Sequence, residues 1–125
     1  TAVINEQNEV ALLKQTFETT ATYVCVAGHM KIGESAEGAV QREVKEELGL
    51  DVEEAKFIQS YPFEKKEMLM LGFHATVKKT DFRTSGEVDA VRWFPLDQAP
   101  DQLRQGSIAW KLVCEIRSKY ALHNH

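Results

Sequence analysis

Residues 35–50 leave little freedom for the fold around them. Ala36, Val40, Val44 and Leu48 recur every four residues, so a helix gathers them into one apolar stripe that must be buried. Ser35 stands where an N-cap side chain takes up an otherwise unpaired amide. Gly38 holds the place where a capping box would carry Glu, so that reciprocal bond is missing. A glycine in the first turn costs up to about 1 kcal/mol against Ala. Gly49 ends the helix, with Leu50 placed to pack back on the last turn.

The same helix carries the run Arg42-Glu43-Val44-Lys45-Glu46-Glu47, with three carboxylates inside five residues. Glu43 lies three residues from Glu46 and four from Glu47, so all three stand near one side of the helix. Like charges at that spacing weaken a helix by a few tenths of a kcal/mol per pair, roughly. Arg42 relieves part of this. A hard divalent cation would relieve all of it, and oxygen-only ligands suit Mg²⁺ or Mn²⁺. Taken alone, a run of this kind is usually a solvated acidic face.

The rest of the chain alternates strand and helix patterns. Residues 2–5 and 9–14 read as two strands around the turn-like Glu6-Gln7-Asn8. Residues 22–27, β-branched and apolar, read as a buried strand that runs straight into Gly28. Residues 54–60 and 68–77 form a further strand pair, joined by a loop containing Tyr61-Pro62-Phe63-Glu64-Lys65-Lys66. Residues 88–94 make another strand, ended by Pro95. Residues 107–120 read as a second helix with Ile108, Leu112, Val113 and Ile116 on its apolar face. Strands flanked by two main helices predict an α/β fold, a mixed sheet packed between helices.

The 125 residues suffice for one domain, taken as residues 1–125, and are too few for two. With 43% apolar and 27% charged residues, the composition is ordinary for a globular chain. No apolar run approaches the roughly 20 residues of a membrane span, and no signal peptide is visible. A net charge of −4 gives no general attraction for long nucleic acid, though a short capped end can still enter a pocket. Cys25 and Cys114 lie in strand-like and helix-like runs without zinc spacing, which predicts two buried thiols in a reducing, cytoplasmic setting. Thr1 leads directly into Ala-Val-Ile, a strand already under way, so the chain is expected to be a piece of a longer protein.

The spacing around the acidic run is more telling than the run itself. Gly28, five residues, Glu34, seven residues, Arg42-Glu43, an aliphatic, one residue, Glu46-Glu47, one residue, Gly49 and an aliphatic fill every position of a known pattern. The segment resembles the Nudix box. The resemblance implies an α/β/α sandwich and hydrolysis of a diphosphate that joins a nucleoside to another group. It implies Glu43 and Glu47 as main metal ligands and Glu46 as a secondary ligand or the orienter of a water. Arg42 would hold the carboxylates in place, and Gly28 and Glu34 would shape and brace the loop. The carbonyl of Ala27 would be a further ligand. His29 falls at a variable place in the box and is not given a ligand role. Glu46, Glu47 and Glu87 are all candidates for the general base.

A second resemblance narrows the substrate. Gln59-Ser60-Tyr61-Pro62-Phe63 followed by Leu69-Met70 is similar to a weakened Ser-Gln-Pro-Trp-Pro-Phe-Pro…Leu-Met signature of the NADH pyrophosphatase branch. Ile58, Ser60, Tyr61 and Glu64 depart from it, and one extra residue precedes Leu69. In that branch the loop contacts the dinucleotide, which makes Gln59, Tyr61 and Phe63 substrate candidates. An aromatic there can stack on a base or simply fill the core. Glu87, six residues before Trp93, matches an acidic metal ligand of the branch, and Gly106-Ser107-Ile108-Ala109 matches a helix start whose Ala touches substrate.

These resemblances imply a metal-dependent diphosphatase that cuts NADH or NAD⁺ into two mononucleotides, with Mg²⁺ or Mn²⁺ as cofactor. ADP-ribose, a dinucleoside polyphosphate, a damaged nucleotide and an NAD-type RNA cap are alternative substrates. A rival from another class is a domain that senses a nucleotide without cutting it. Such domains tend to lose box carboxylates, and none is lost here. The family resemblance favours a homodimer. Members of the branch often carry a four-cysteine zinc ribbon before the catalytic domain, and no such cysteines occur in this chain.

Overall fold

A computed structural model describes residues 1–15, 23–28, 30–63, 68–83 and 88–123. Strand β1 is only Ala2–Ile4, yet it lies at the centre of a five-stranded sheet. The other strands are β2 (Glu9–Gln15), β3 (Glu54–Phe63), β4 (Met68–Thr76) and β5 (Val88–Pro95), in the order β3-β4-β1-β2-β5. β1 runs parallel to β4, and every other neighbour is antiparallel, so the sheet is mixed.

Alternation along these strands sends side chains to two cores. Ala2, Ile4, Val10 and Leu12 pack with Leu112, Val113 and Ile116 of α2 (Ile108–His123). Val3, Ala11 and Leu13 pack with Val40, Val44 and Leu48 of α1 (Ala36–Leu48). The sheet therefore lies between two helices, the α/β/α arrangement expected. The apolar stripe of α1 is the one legible in the sequence, except that Ala36 is only half-buried and Ala39 joins the core.

Both ends of α1 form as their residues dictate. The amide of Gly38 donates to Ser35 Oγ at 3.0 Å, closing the N-cap. Gly49 sits at φ 73°, a left-handed conformation natural to glycine, and its amide donates to the Lys45 carbonyl at 3.0 Å. The Arg83 amide takes up the Leu48 carbonyl at 2.8 Å, so a distant segment finishes the cap. A Cβ on Gly49 would come within 2.9 Å of the Arg83 carbonyl oxygen. Gly49→Ala should thus lose the roughly 1–2 kcal/mol of a non-glycine left-handed residue, and more for the contact. Urea denaturation would measure the loss; an unchanged midpoint would contradict this reading of the cap.

Two expectations need correction. Residues 23–27 do not form an extended strand. Leu13 and Val24 make one isolated bridge, and Tyr23 and Leu103 another. Thr22 lies outside the described residues. The segment still carries the buried Cys25 and Val26 that its apolar character suggested.

The loop expected from Tyr61 is also strand: β3 continues through Phe63, with Tyr61, Pro62 and Phe63 opposite Met70, Leu69 and Met68. Pro62 is compatible with β3 because β3 is an edge strand, one side of whose backbone has no partner strand. As a result Tyr61 is not a surface aromatic. It is 6% exposed and belongs to the core on the α2 side, and its buried hydroxyl has no partner among the described residues. Tyr61→Ala should cost about 3 kcal/mol or more, as for other large core aromatics. Tyr61→Phe should be neutral or stabilising, because it removes only an unpaired buried group. Thermal denaturation of both variants separates this from a purely substrate-binding role, which predicts that Tyr61→Ala leaves stability unchanged.

Candidate active site

The site begins where the chain leaves the core. Val24 is pinned to Leu13 by two backbone bonds of 2.8 Å, and the Tyr23 amide donates to Gln102 at 3.0 Å. The backbone nitrogen of Thr1 donates to the Val26 carbonyl at 2.8 Å. Val26 is buried, and Ala27 and Gly28 emerge into solvent beside α1. The carboxylate of Glu43 lies directly against Gly28, in space that any Cβ at this position would fill. Glycine here lets a carboxylate reach the backbone at the end of the apolar run, next to the Ala27–Gly28 peptide.

The loop between closes on itself before α1 begins. The Glu34 amide donates to the Lys31 carbonyl at 3.0 Å, and the Lys31 amide donates to Glu34 Oε1 at 2.9 Å. Arg42 then grips Glu34 with two nitrogens: Nε to Oε2 at 2.7 Å and Nη2 to Oε1 at 3.0 Å. Its third nitrogen, Nη1, donates to Glu43 Oε1 at 2.9 Å and Glu46 Oε2 at 3.2 Å. The Arg42 bonds, followed by the Lys31 amide, hold the Glu34 carboxyl down at about 2. The same carboxylates raise the pKa of the guanidinium.

A pH consequence follows. The folded Glu34 carboxyl lies below its ordinary value of 4.5, so its contribution to stability is present above that value and is lost as the pH falls through about 2. Glu34→Gln should therefore narrow the gap between stability at pH 5 and at pH 2. Parallel denaturation curves at the two pH values, equal for wild type and variant, would contradict the clamp.

Glu47 is half-buried one turn beyond Glu43, and Glu46 is exposed. Among the described residues no three His, Cys, Asp or Glu side chains are drawn together as a ready metal cluster. Nη1 of Arg42 instead engages two of the three carboxylates of the run. The donor set still suits a hard cation: three carboxylates on one helix, a backbone carbonyl at Ala27, and Glu43 cradled against Gly28. Glu87 and His29 lie outside the described residues.

Beside Glu43 opens a cleft of about 190 Å³, walled by Met30, Ala39, Val40, Leu69 and Met70 among others. Met30 and Leu69 are exposed apolar side chains, 57% and 64% accessible. Leu69 and Met70 were visible in the sequence as part of a signature. Met30 was not, and an apolar residue in a polar loop was the one available signal. Gln59, Tyr61, Phe63 and Ala109 do not line this cleft. Gln59 is exposed on β3, and Phe63 is half-buried opposite Met68, which does line the cleft. Ala109 packs against the core on the α2 side.

Comparison with known proteins agrees with this geometry. The model of the NUDIX domain matches residues 1–114. The NAD-capped RNA hydrolase NudC of Pseudomonas aeruginosa is 35% identical over 114 residues, which cover 89% of this chain and 40% of that protein. The mouse mitochondrial NAD(P)H pyrophosphatase NUDT13 is 37% identical over 113 residues, covering 86% of this chain and 32% of that protein. The chain thus spans two fifths or less of the length of these two relatives. In fold it is similar to a C. elegans Ap4A hydrolase, solved as a binary complex. That likeness has a TM-score of 0.76 at 19% identity and covers 96% of this chain and 95% of that one. The chain belongs to the NUDIX domain family, on the NADH pyrophosphatase branch that its sequence resembles.

Proposed function

We propose that this domain is a metal-dependent hydrolase of the diphosphate linkage in a nucleoside diphosphate derivative, with NADH or NAD⁺ as substrate and two mononucleotides as products. The observation that carries the reading is the meeting of Glu43 with Gly28, on a helix where Arg42 and Glu34 hold the run of carboxylates in register. Family enzymes generally use divalent ions. Here Glu43, Glu47 and Glu46 would hold Mg²⁺ or Mn²⁺ with the Ala27 carbonyl, and Glu87 is proposed as a further ligand. Such an ion supplies charge neutralisation for the diphosphate oxygens and lowers the pKa of water.

The chain's own residues do the rest. Without an ion, Arg42 holds Glu43 and Glu46 beside the site through Nη1, while its other edge is anchored on Glu34. A carboxylate takes the proton of the attacking water, with Glu46, Glu47 and Glu87 as candidates. The apolar cleft beside Glu43 excludes water from one flank of the diphosphate and gives the attached group a wall to lie on. Phe63, next to that wall, remains the aromatic proposed to meet a base. Truncating it to Ala should cost about 1–3 kcal/mol of substrate binding.

The NAD-type RNA cap is the second reading, favoured by similarity to proteins named as NAD-capped RNA hydrolases. Cys25 is buried but Cys114 is only half-buried, against the expectation of two buried thiols; two thiols without a disulfide suit a cytoplasmic setting, and a homodimer is part of the same proposal. Among the described residues no helix is long and apolar enough to cross a membrane.

One assay tests the reading. The protein is incubated with Mg²⁺ or Mn²⁺ and with NADH, NAD⁺, ADP-ribose, a dinucleoside polyphosphate or NAD-capped RNA, and the products are resolved by chromatography. Mononucleotide release from NADH or NAD⁺ is expected. Tight binding of a nucleotide with no cleavage of any of them would establish the sensor instead.

A further inference from the structure

We propose that Nη1 of Arg42 and a divalent cation exchange on the same carboxylates, Glu43 and Glu46, while the other edge of the guanidinium stays locked on Glu34. The inference rests on the metal-site reading above.

A guanidinium presents its donors in one rigid plane, so its edges are used separately. The edge formed by Nε and Nη2 faces Glu34 and reaches both of its oxygens, at 2.7 and 3.0 Å. Nη1 points to the remaining corner and serves two carboxylates at once, Glu43 Oε1 at 2.9 Å and Glu46 Oε2 at 3.2 Å. The two grips differ in strength. The Glu34 grip is bidentate between side chains only 20% and 17% accessible. The Nη1 grip is shared and single-point on each carboxylate: the Glu43 side chain, 16% accessible, is as shielded as Glu34, and the Glu46 side chain is 55% accessible. Bidentate, shielded pairs are the strong ones, and exposed single-point pairs contribute little.

A cation bound by Glu43 and Glu46 draws on the carboxylates that Nη1 holds, and it repels the guanidinium charge beside it. The two demands on the carboxylates oppose each other. Because Glu34 fixes the plane of the guanidinium, Arg42 cannot swing away to make room. The long glutamate side chains turn instead, from Nη1 toward the ion. Arg42 is therefore a positioning residue that neutralises the acidic run when no ion does so. It also sets the affinity for the ion below what the carboxylates alone would give.

The exchange is read by arginine side-chain NMR and by calorimetric titration of the same protein. In wild type, the Arg42 Nε–H signal should be unchanged between chelator and saturating Mg²⁺, while the Nη1 protons shift and exchange faster with solvent. Arg42→Gln should bind Mg²⁺ about twofold to fivefold more tightly, the scale of one partly exposed pair. Arg42→Lys, which keeps the charge without the fork, should also gain, by at least about twofold.

Unmoved Nη1 protons at saturating Mg²⁺ would overturn the exchange. So would a gain confined to Arg42→Gln, which is a plain charge effect, or a loss of affinity in either variant. If neither variant folds, the wild-type NMR decides alone. Absence of Mg²⁺ binding by the wild type would remove the metal-site reading itself, whereas binding with a fixed Nη1 removes only this inference.

Discussion

Glu47→Gln should lower turnover by about 10³-fold or more while leaving the fold in place. The substitution keeps the shape of the side chain and removes one negative charge from the proposed cation site. Catalysis of diphosphate cleavage depends on charge stabilisation at that site, and losses of this order follow when such stabilisation is removed. Stability without metal behaves differently. Glu43 and Glu47 are four residues apart on α1, so the change also deletes a like-charge pair. Unfolding measured in chelator should shift by less than about 1 kcal/mol, as for most substitutions that leave packing intact. Near-normal turnover with Mg²⁺ would rule out Glu47 as a ligand.

Gly28→Ala should separate site from fold still more cleanly. A Cβ at this position would occupy the space now held by the Glu43 carboxylate. That carboxylate is the far end of a flexible side chain, so the clash is relieved by moving it, at small cost to the fold. Moving it takes Glu43 away from the Ala27–Gly28 peptide, and a misplacement of about 1 Å in a catalytic group costs about 10²-fold in rate. Activity should fall by about 10²-fold and Mg²⁺ affinity should drop with it, while the melting temperature barely changes. Gly49→Ala is the natural control: its Cβ would meet backbone of Arg83, so stability falls first. Full activity in Gly28→Ala would show that the Glu43–Gly28 contact has no part in the chemistry.

Much of this was legible in local sequence because it depends on local geometry. The four-residue repeat of Val40, Val44 and Leu48 fixes which face of α1 is buried whatever it packs against. Ser35 and Gly49 act within one helical turn of themselves, so their capping roles needed no knowledge of the fold. The spacing from Gly28 to Gly49 identified the family for a related reason: it describes a loop and a helix that are contiguous in the chain.

The remainder depended on partners distant in sequence. Tyr61-Pro62-Phe63 reads as a loop by composition. The unpaired edge of the sheet makes Pro62 tolerable in a strand, and pairing with β4 sets the face on which Tyr61 joins the core beneath α2. The segment 23–27 has strand composition, but its backbone bonds are made at scattered points, Val24 with Leu13, Tyr23 with Gln102 and Val26 with Thr1, and it ends as isolated bridges. The sequence placed Arg42 beside three carboxylates without saying how its donors would divide. That division was decided by the loop closing through Lys31 and Glu34, which brings Glu34, eight residues away, onto one edge of the guanidinium and leaves a single nitrogen for Glu43 and Glu46. Residue types and spacing determine which chemistry is possible. Only the closed loop, the sheet edge and the Gly28 contact determine which atoms are held for it, because those depend on groups brought together by the fold.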